Sequence, residues 1–138
     1  MLSLIFAIAV SGCRAKEMVI PEAPTPAPRG TIEVQPEIPP VPTREERFTF
    51  VSPDDQVIHE ANQFFIILGS FQVLRNANLF VETLSARGFE SVILVSETGM
   101  HRVSIGSFTD ESVARTRVNH IRTNYPEHQD AWLLIRRR

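Results

Sequence analysis

The tripeptide Gly-Ser-Phe occurs at Gly69-Ser70-Phe71 and again at Gly106-Ser107-Phe108, each time closing an apolar, β-branched stretch. Sliding the second copy back by 37 positions aligns more than these three residues: Ile66 meets Val103, Leu68 meets Ile105, Ala77 meets Ala114, Val81 meets Val118 and Leu84 meets Ile121. A segment with apolar residues at helical spacing follows each copy. In the first, Ala77, Phe80, Val81 and Leu84 fall at i, i+3, i+4 and i+7, one face of an amphipathic helix, and Gly88 is placed to end it. In the second, Asp110 can cap the start, Ala114, Val118 and Ile121 form the stripe, and Pro126 follows the end. "ESVILVS" and "AWLLI" supply closing strands. The repeat is therefore β-α-β, twice.

Four strands in βαββαβ order, with Glu97-Thr98-Gly99 turning the second into the third, predict an α+β fold: a four-stranded antiparallel sheet with two helices on one face, an RNP-like or ferredoxin-like sandwich. Each Gly-Ser-Phe is expected to be a corner, with the glycine turning the chain sharply out of its strand and the phenylalanine plugging the seam to the helix. Period-2 alternation sends Phe64, Ile66 and Leu68 to the helices, along with Val103 and Ile105 and the half-buried His101 beside them. The face without helices is then expected to be open. It would carry Phe65, Ile67, Met100, Arg102 and Ser104, with one side of "AWLLI", including Trp132 if it faces outward, at an edge. Apolar atoms around one arginine suit a ligand surface or, equally, a docking or dimer face.

The N-terminal third has a different character. Leu2–Gly12 is apolar, ends in small residues and is too short to span a bilayer, which suits an export signal. Val10-Ser11-Gly12-Cys13 resembles the bacterial lipobox, and that resemblance implies lipidation of Cys13, the chain's single cysteine. Acyl chains would anchor the protein to a membrane. Arg14 stands where some bacteria place an inner-membrane retention Asp, so the outer membrane is favoured. From Pro21 to Pro42 lie eight of the ten prolines, a semi-rigid spacer reaching up to about 70 Å. The expected division is a signal over 1–13, a proline-rich, acidic linker over 14–62 to which no fold is assigned, and a folded domain over 63–138.

Charge narrows the function classes. Arg14 to Asn62 holds five Lys/Arg against nine Asp/Glu, and Gln63 to Arg138 holds nine Arg against seven Asp/Glu. So small a basic excess is not the footprint of a nucleic-acid binder, and Met100, Arg102 and Ser104 stand where an RNA-recognition sheet needs rings. His59, His101, His120 and His128 show no metal-ligand spacing, and neither Gly-Ser-Phe is a nucleophile elbow. No cofactor, metal site or catalytic activity is expected.

Gln63–Ile135 as a whole resembles the SPOR domain of bacterial envelope proteins. The resemblance rests on Phe64-Phe65-Ile66-Ile67-Leu68-Gly69-Ser70-Phe71, Ala77, Gly88, Met100-His101-Arg102-Val103, Gly106-Ser107-Phe108 and Ala114. It implies a non-catalytic module that binds septal peptidoglycan, preferring glycan strands stripped of their stem peptides, in the cell envelope and enriched at the division septum. The binding positions it implies are a strand-one glutamine, the serine of the first Gly-Ser-Phe, an aromatic two before the arginine, and that arginine. Ser70 and Arg102 match. Ile67 replaces the glutamine, removing an amide, and Met100 replaces the aromatic with a softer platform. Phe65 or Trp132 could supply the missing ring.

Stripped glycan carries free lactyl carboxylates, and a guanidinium fork suits a carboxylate. That gives Arg102 a role independent of the resemblance. Its alternative is a cross-strand ion pair with Glu97 or Glu90. The expected glycan site is thus Phe65, Ile67, Ser70, Met100, Arg102, Ser104 and Trp132, with envelope protein docking through the same apolar face as the competing function.

Overall fold

The computed structural model describes residues 40–138. Cys13 and nearly all of the proline-rich stretch lie outside the described residues. The order of elements is β1 (Thr43–Glu46), β2 (Phe48–Phe50), α1 (Pro53–His59), β3 (Phe64–Phe71), α2 (Leu74–Ala86), β4 (Val92–Ser96), β5 (His101–Phe108), α3 (Glu111–Asn124) and β6 (Trp132–Arg136), with a short 3-10 turn over Pro126–His128.

The duplicated β-α-β pattern appears as β3-α2-β4 and β5-α3-β6. Its strands run in the order β6-β3-β5-β4, with β3 and β5 central and every neighbouring pair antiparallel. Local signals work as read. Asp110 accepts a hydrogen bond from the Val113 N–H at 2.9 Å. Gly88, at φ 82°, closes α2 with its N–H on the Ser85 carbonyl while the Phe89 N–H reaches Leu84, the paired bonds of a left-handed helix end. Gly99, at φ 80°, sits in the turn between β4 and β5, where its N–H bonds the Ser96 carbonyl. The helical faces bury Ala77 and Leu84 on α2 and Ala114, Val118 and Ile121 on α3 against Phe64, Ile66, Leu68, Val103 and Leu133.

Two expectations are corrected. The glycines of the repeat turn nothing: Gly69 and Gly106 lie inside β3 and β5, and neither is among the positive-φ glycines. What they supply is space. A Cβ on Gly69 would stand 2.8 Å from Phe71 Cε2 and 2.9 Å from Phe80 Cε1, and one on Gly106 would stand 3.3 Å from Phe108 Cε2. Each phenylalanine folds back over the glycine two residues before it, and Phe71 meets Phe80 of α2 with ring centroids 5.3 Å apart.

The second correction concerns the number of strands. The sheet has six, in the order β1-β6-β3-β5-β4-β2. Both additions come from the stretch read as part of a linker with no assigned fold, and β1 runs parallel to β6, so the sheet is mixed. β1 and β2 lie at opposite ends of this order, yet only Arg47 separates them. The Glu46 carbonyl accepts the Arg137 N–H at 2.9 Å, next to β6, and the Arg47 carbonyl accepts the Glu97 N–H at 3.3 Å, next to β4. The sheet therefore curls away from its helices until one extended stretch, Thr43–Phe50, ties its two edges together. We call this stretch the strap.

Its sequence explains its placement. In "TREERFTF" Glu46, Phe48 and Phe50, half-buried or buried, alternate with the exposed Glu45, Arg47 and Thr49, the period of a strand with one buried face. Phe48 packs edge-on against Phe65, with centroids 5.0 Å apart, and joins Ile67, Leu94 and Leu134 in a second core on the helix-free side. Phe50, half-buried, adds a second edge-on contact to Phe65.

Candidate functional site

The helix-free face is closed. Phe65, Ile67 and Ser104 are fully buried and Arg102 is 7% exposed, so the expectation that these side chains stand free on an open sheet is corrected. The reason is the strap, which brings Phe48 onto the apolar positions. Ser104 turns its hydroxyl to its own strand, donating to the Gly106 carbonyl at 3.0 Å. Met100 stands apart at the β4–β5 turn, its N–H bonded to Ser96 Oγ.

Arg102 is held on two sides. Its Nη2 donates to Glu46 Oε1 at 2.8 Å and its Nε to Oε2 at 3.3 Å, the two-point fork that guanidinium and carboxylate favour. Its Cζ lies 5.3 Å from the centre of the Trp132 ring, within cation–π range. The pair is largely dry, with side chains 9% and 22% exposed for Arg102 and Glu46. The anticipated ion pair exists, with a partner from the strap in place of Glu97 or Glu90. Glu97 pairs instead with Arg47, loosely and in solvent, at 3.8 Å.

Strength of attachment decides whether the strap belongs to the fold or to a movable lid. Removing it would return Phe48 to water along with much of the surface of Phe65, Ile67, Leu94 and Leu134. At about 1.5–3 kcal/mol for each large apolar side chain fully exposed, the loss is comparable to the roughly 5–15 kcal/mol that holds an entire domain folded. The Arg102–Glu46 fork and two sets of strand hydrogen bonds add to that cost. The strap is part of the fold.

Beside the strap lies a depression of about 410 Å³ lined by Pro42, Thr43, Arg44, Ser70, Arg102, Asp130 and Trp132. Strand register assembles it. Ser70 pairs with Arg102 across β3 and β5, Trp132 pairs with Ile67 across β6 and β3, and Arg44 pairs with Leu134 across β1 and β6. Of the expected site, Ser70, Arg102 and Trp132 meet here, although 62 residues separate the first from the last in the chain. Phe65 and Ile67 lie beneath the strap, Ser104 is buried away from the depression, and Met100 does not line it.

Arg44, Glu46 and Asp130 are the additions that reading the sequence missed. Arg44 is exposed, with its Cζ 5.5 Å from the Trp132 ring centre. Among the described residues it makes no ion pair. The indole thus lies within reach of two guanidinium groups, one neutralised by Glu46 and one available to a ligand.

The serine of the second Gly-Ser-Phe is already engaged within the chain. Asn62 Nδ2 donates to Ser107 Oγ at 2.6 Å, and His59 Nδ1 lies 2.7 Å from the same oxygen. Residues entering β3 thereby occupy Ser107, whereas Ser70 is exposed. No group of three or more His, Cys, Asp or Glu among the described residues could hold a metal ion.

The family model of the SPOR domain matches residues 60–129. That span includes Ser70 and Arg102; the strap, Asp130 and β6 with Trp132 lie outside it. Comparison with curated proteins and with solved structures gives no match.

Proposed function

Because the chain belongs to the SPOR domain family, a family of peptidoglycan-binding rather than catalytic modules, we propose that it binds glycan strands stripped of their stem peptides, at the depression around Trp132. The observation that carries this reading is the convergence of Ser70, Arg102 and Trp132 from three strands into one pocket whose other polar side chains are Thr43, Arg44 and Asp130. Indole offers an apolar surface to a sugar ring. Ser70 and Asp130 offer hydrogen-bonding oxygens to hydroxyl and acetamido groups, and the guanidinium charge favours the lactyl carboxylates that amidases uncover.

Protein docking through the apolar sheet face has less support, since Phe65 and Ile67, the residues it needs at the surface, are buried against the strap. We place the module on a lipid tether at Cys13, in the bacterial envelope and on the outer membrane, with the proline-rich stretch as spacer and stripped septal glycan as the target.

Sedimentation with purified sacculi tests the reading. Full-length protein should pellet more with amidase-treated sacculi than with untreated ones, and Trp132→Ala should lower that binding by about tenfold, as losing one aromatic–ligand contact worth about 1.4 kcal/mol does. Equal pelleting with both preparations would refute the preference for stripped glycan.

A further inference from the structure

We propose that Arg44, on the strap, is the guanidinium that meets the ligand's carboxylate, and that Arg102 serves as a positioning residue that holds the strap in place. The inference rests on the glycan-binding reading above and assigns the charge recognition within that site. Three observations separate the two arginines. Arg102 is buried and both oxygens of Glu46 take its Nε–Nη2 edge. A second carboxylate there would meet a charge that Glu46 already neutralises, and Glu46 is fixed to a strap whose Phe48 is built into the apolar core. Arg44 has none of these commitments: it is exposed, it lines the depression, and it makes no ion pair among the described residues.

The Trp132 ring makes Arg44 a better receptor than an ordinary surface arginine. A long side chain free in water loses rotamer entropy when it grips a ligand. With Arg44 Cζ already 5.5 Å from the ring centre, its planar group is partly oriented before binding, and less freedom is lost per hydrogen bond formed. A carboxylate bound here would lie beside the apolar indole and near Ser70, which fits an acidic sugar: a carboxylate carried a few bonds from a pyranose ring. Asp130, on the rim, disfavours ligands with several clustered negative charges. The site therefore suits isolated carboxylates spaced along a polyhydroxylated chain better than a phosphate-dense polymer.

The test uses the full-length protein and two probes: soluble glycan strands freed of stem peptides by amidase, and the same strands with their lactyl carboxylates converted to neutral methyl amides. Wild type should bind the charged strands roughly ten- to hundredfold more tightly than the neutral ones, the value of one charge-assisted hydrogen-bond pair. Arg44→Ala should bind both equally, at the level of wild type with neutral strands, and should keep the wild-type melting temperature. Arg44→Lys should recover part of the discrimination. Glu46→Gln should lower the melting temperature without raising affinity for charged strands. Continued discrimination by Arg44→Ala would overturn the assignment, and so would a gain in affinity by Glu46→Gln, which would identify Glu46 as a competitor for Arg102. Absence of binding to either probe by wild type would remove the glycan reading itself, an outcome distinct from both.

Discussion

Gly69 and Gly106 hold equivalent places in the repeat, and their neighbours constrain them to different degrees. A methyl group on Gly69 meets two rings closer than 3.0 Å, those of Phe71 and Phe80, which brace each other; on Gly106 it meets one ring at 3.3 Å. Gly69→Ala should therefore destabilise the protein by about 1–3 kcal/mol, the usual cost of overpacking, whereas Gly106→Ala should cost less than about 1 kcal/mol after a small shift of Phe108. Thermal unfolding of the two variants checks this, and equal losses would show that ring clash is not the constraint. The same scale explains the different fates of the paired serines: α1 and the residues after it cover Ser107, and nothing comparable covers Ser70. Residue types identified the repeat correctly. The glycine's role was not legible, because a turn and a close ring approach both ask for glycine, and only coordinates distinguish them.

Among the elements, the strap does most to separate this chain from the expected sandwich. It supplies both edge strands, one partner of the Arg102 ion pair and the apolar lid of the second core. Phe48→Ala should thus cost about 3–5 kcal/mol, as buried Phe→Ala changes do, and a fragment covering 60–138 should aggregate where 40–138 stays monomeric. Light scattering and urea unfolding of the two fragments decide the point; identical unfolding midpoints would mean that the strap is dispensable. The helices and inner strands were readable because 3.6-residue and two-residue periods, a capping Asp110 and the terminating Gly88 act locally. The alternation of Arg44, Glu46, Phe48 and Phe50 was present too. It was obscured because two of these four positions are charged: Arg44 stays exposed beside Trp132, 88 residues away, and the half-buried Glu46 is acceptable only through Arg102, 56 residues away. The site was legible in part for the same reason. Strand phase placed Arg102, and Trp132 only if it faced outward; Ser70 came from the resemblance alone, since β3 shifts register between Ile67 and Gly69, and the phase of a strand does not reveal what lies across it.

At the scale of the whole molecule, the proposed lipid tether and the depression around Trp132 each make a prediction. Anchoring at Cys13 should make the protein partition with outer membranes, and Cys13→Ala should leave it in the soluble or inner-membrane fraction; unmodified wild-type protein in the periplasm would contradict the tether. The binding account is open to a measurement that needs no label, since Trp132 is the chain's only tryptophan. Its ring lines the proposed site, so its fluorescence reports on that site alone. Titrating full-length protein with amidase-stripped glycan strands should shift the emission saturably, with a much weaker response to strands that retain their stem peptides. An emission that does not change, or that changes equally with both, would contradict the claim that this depression recognises stripped glycan.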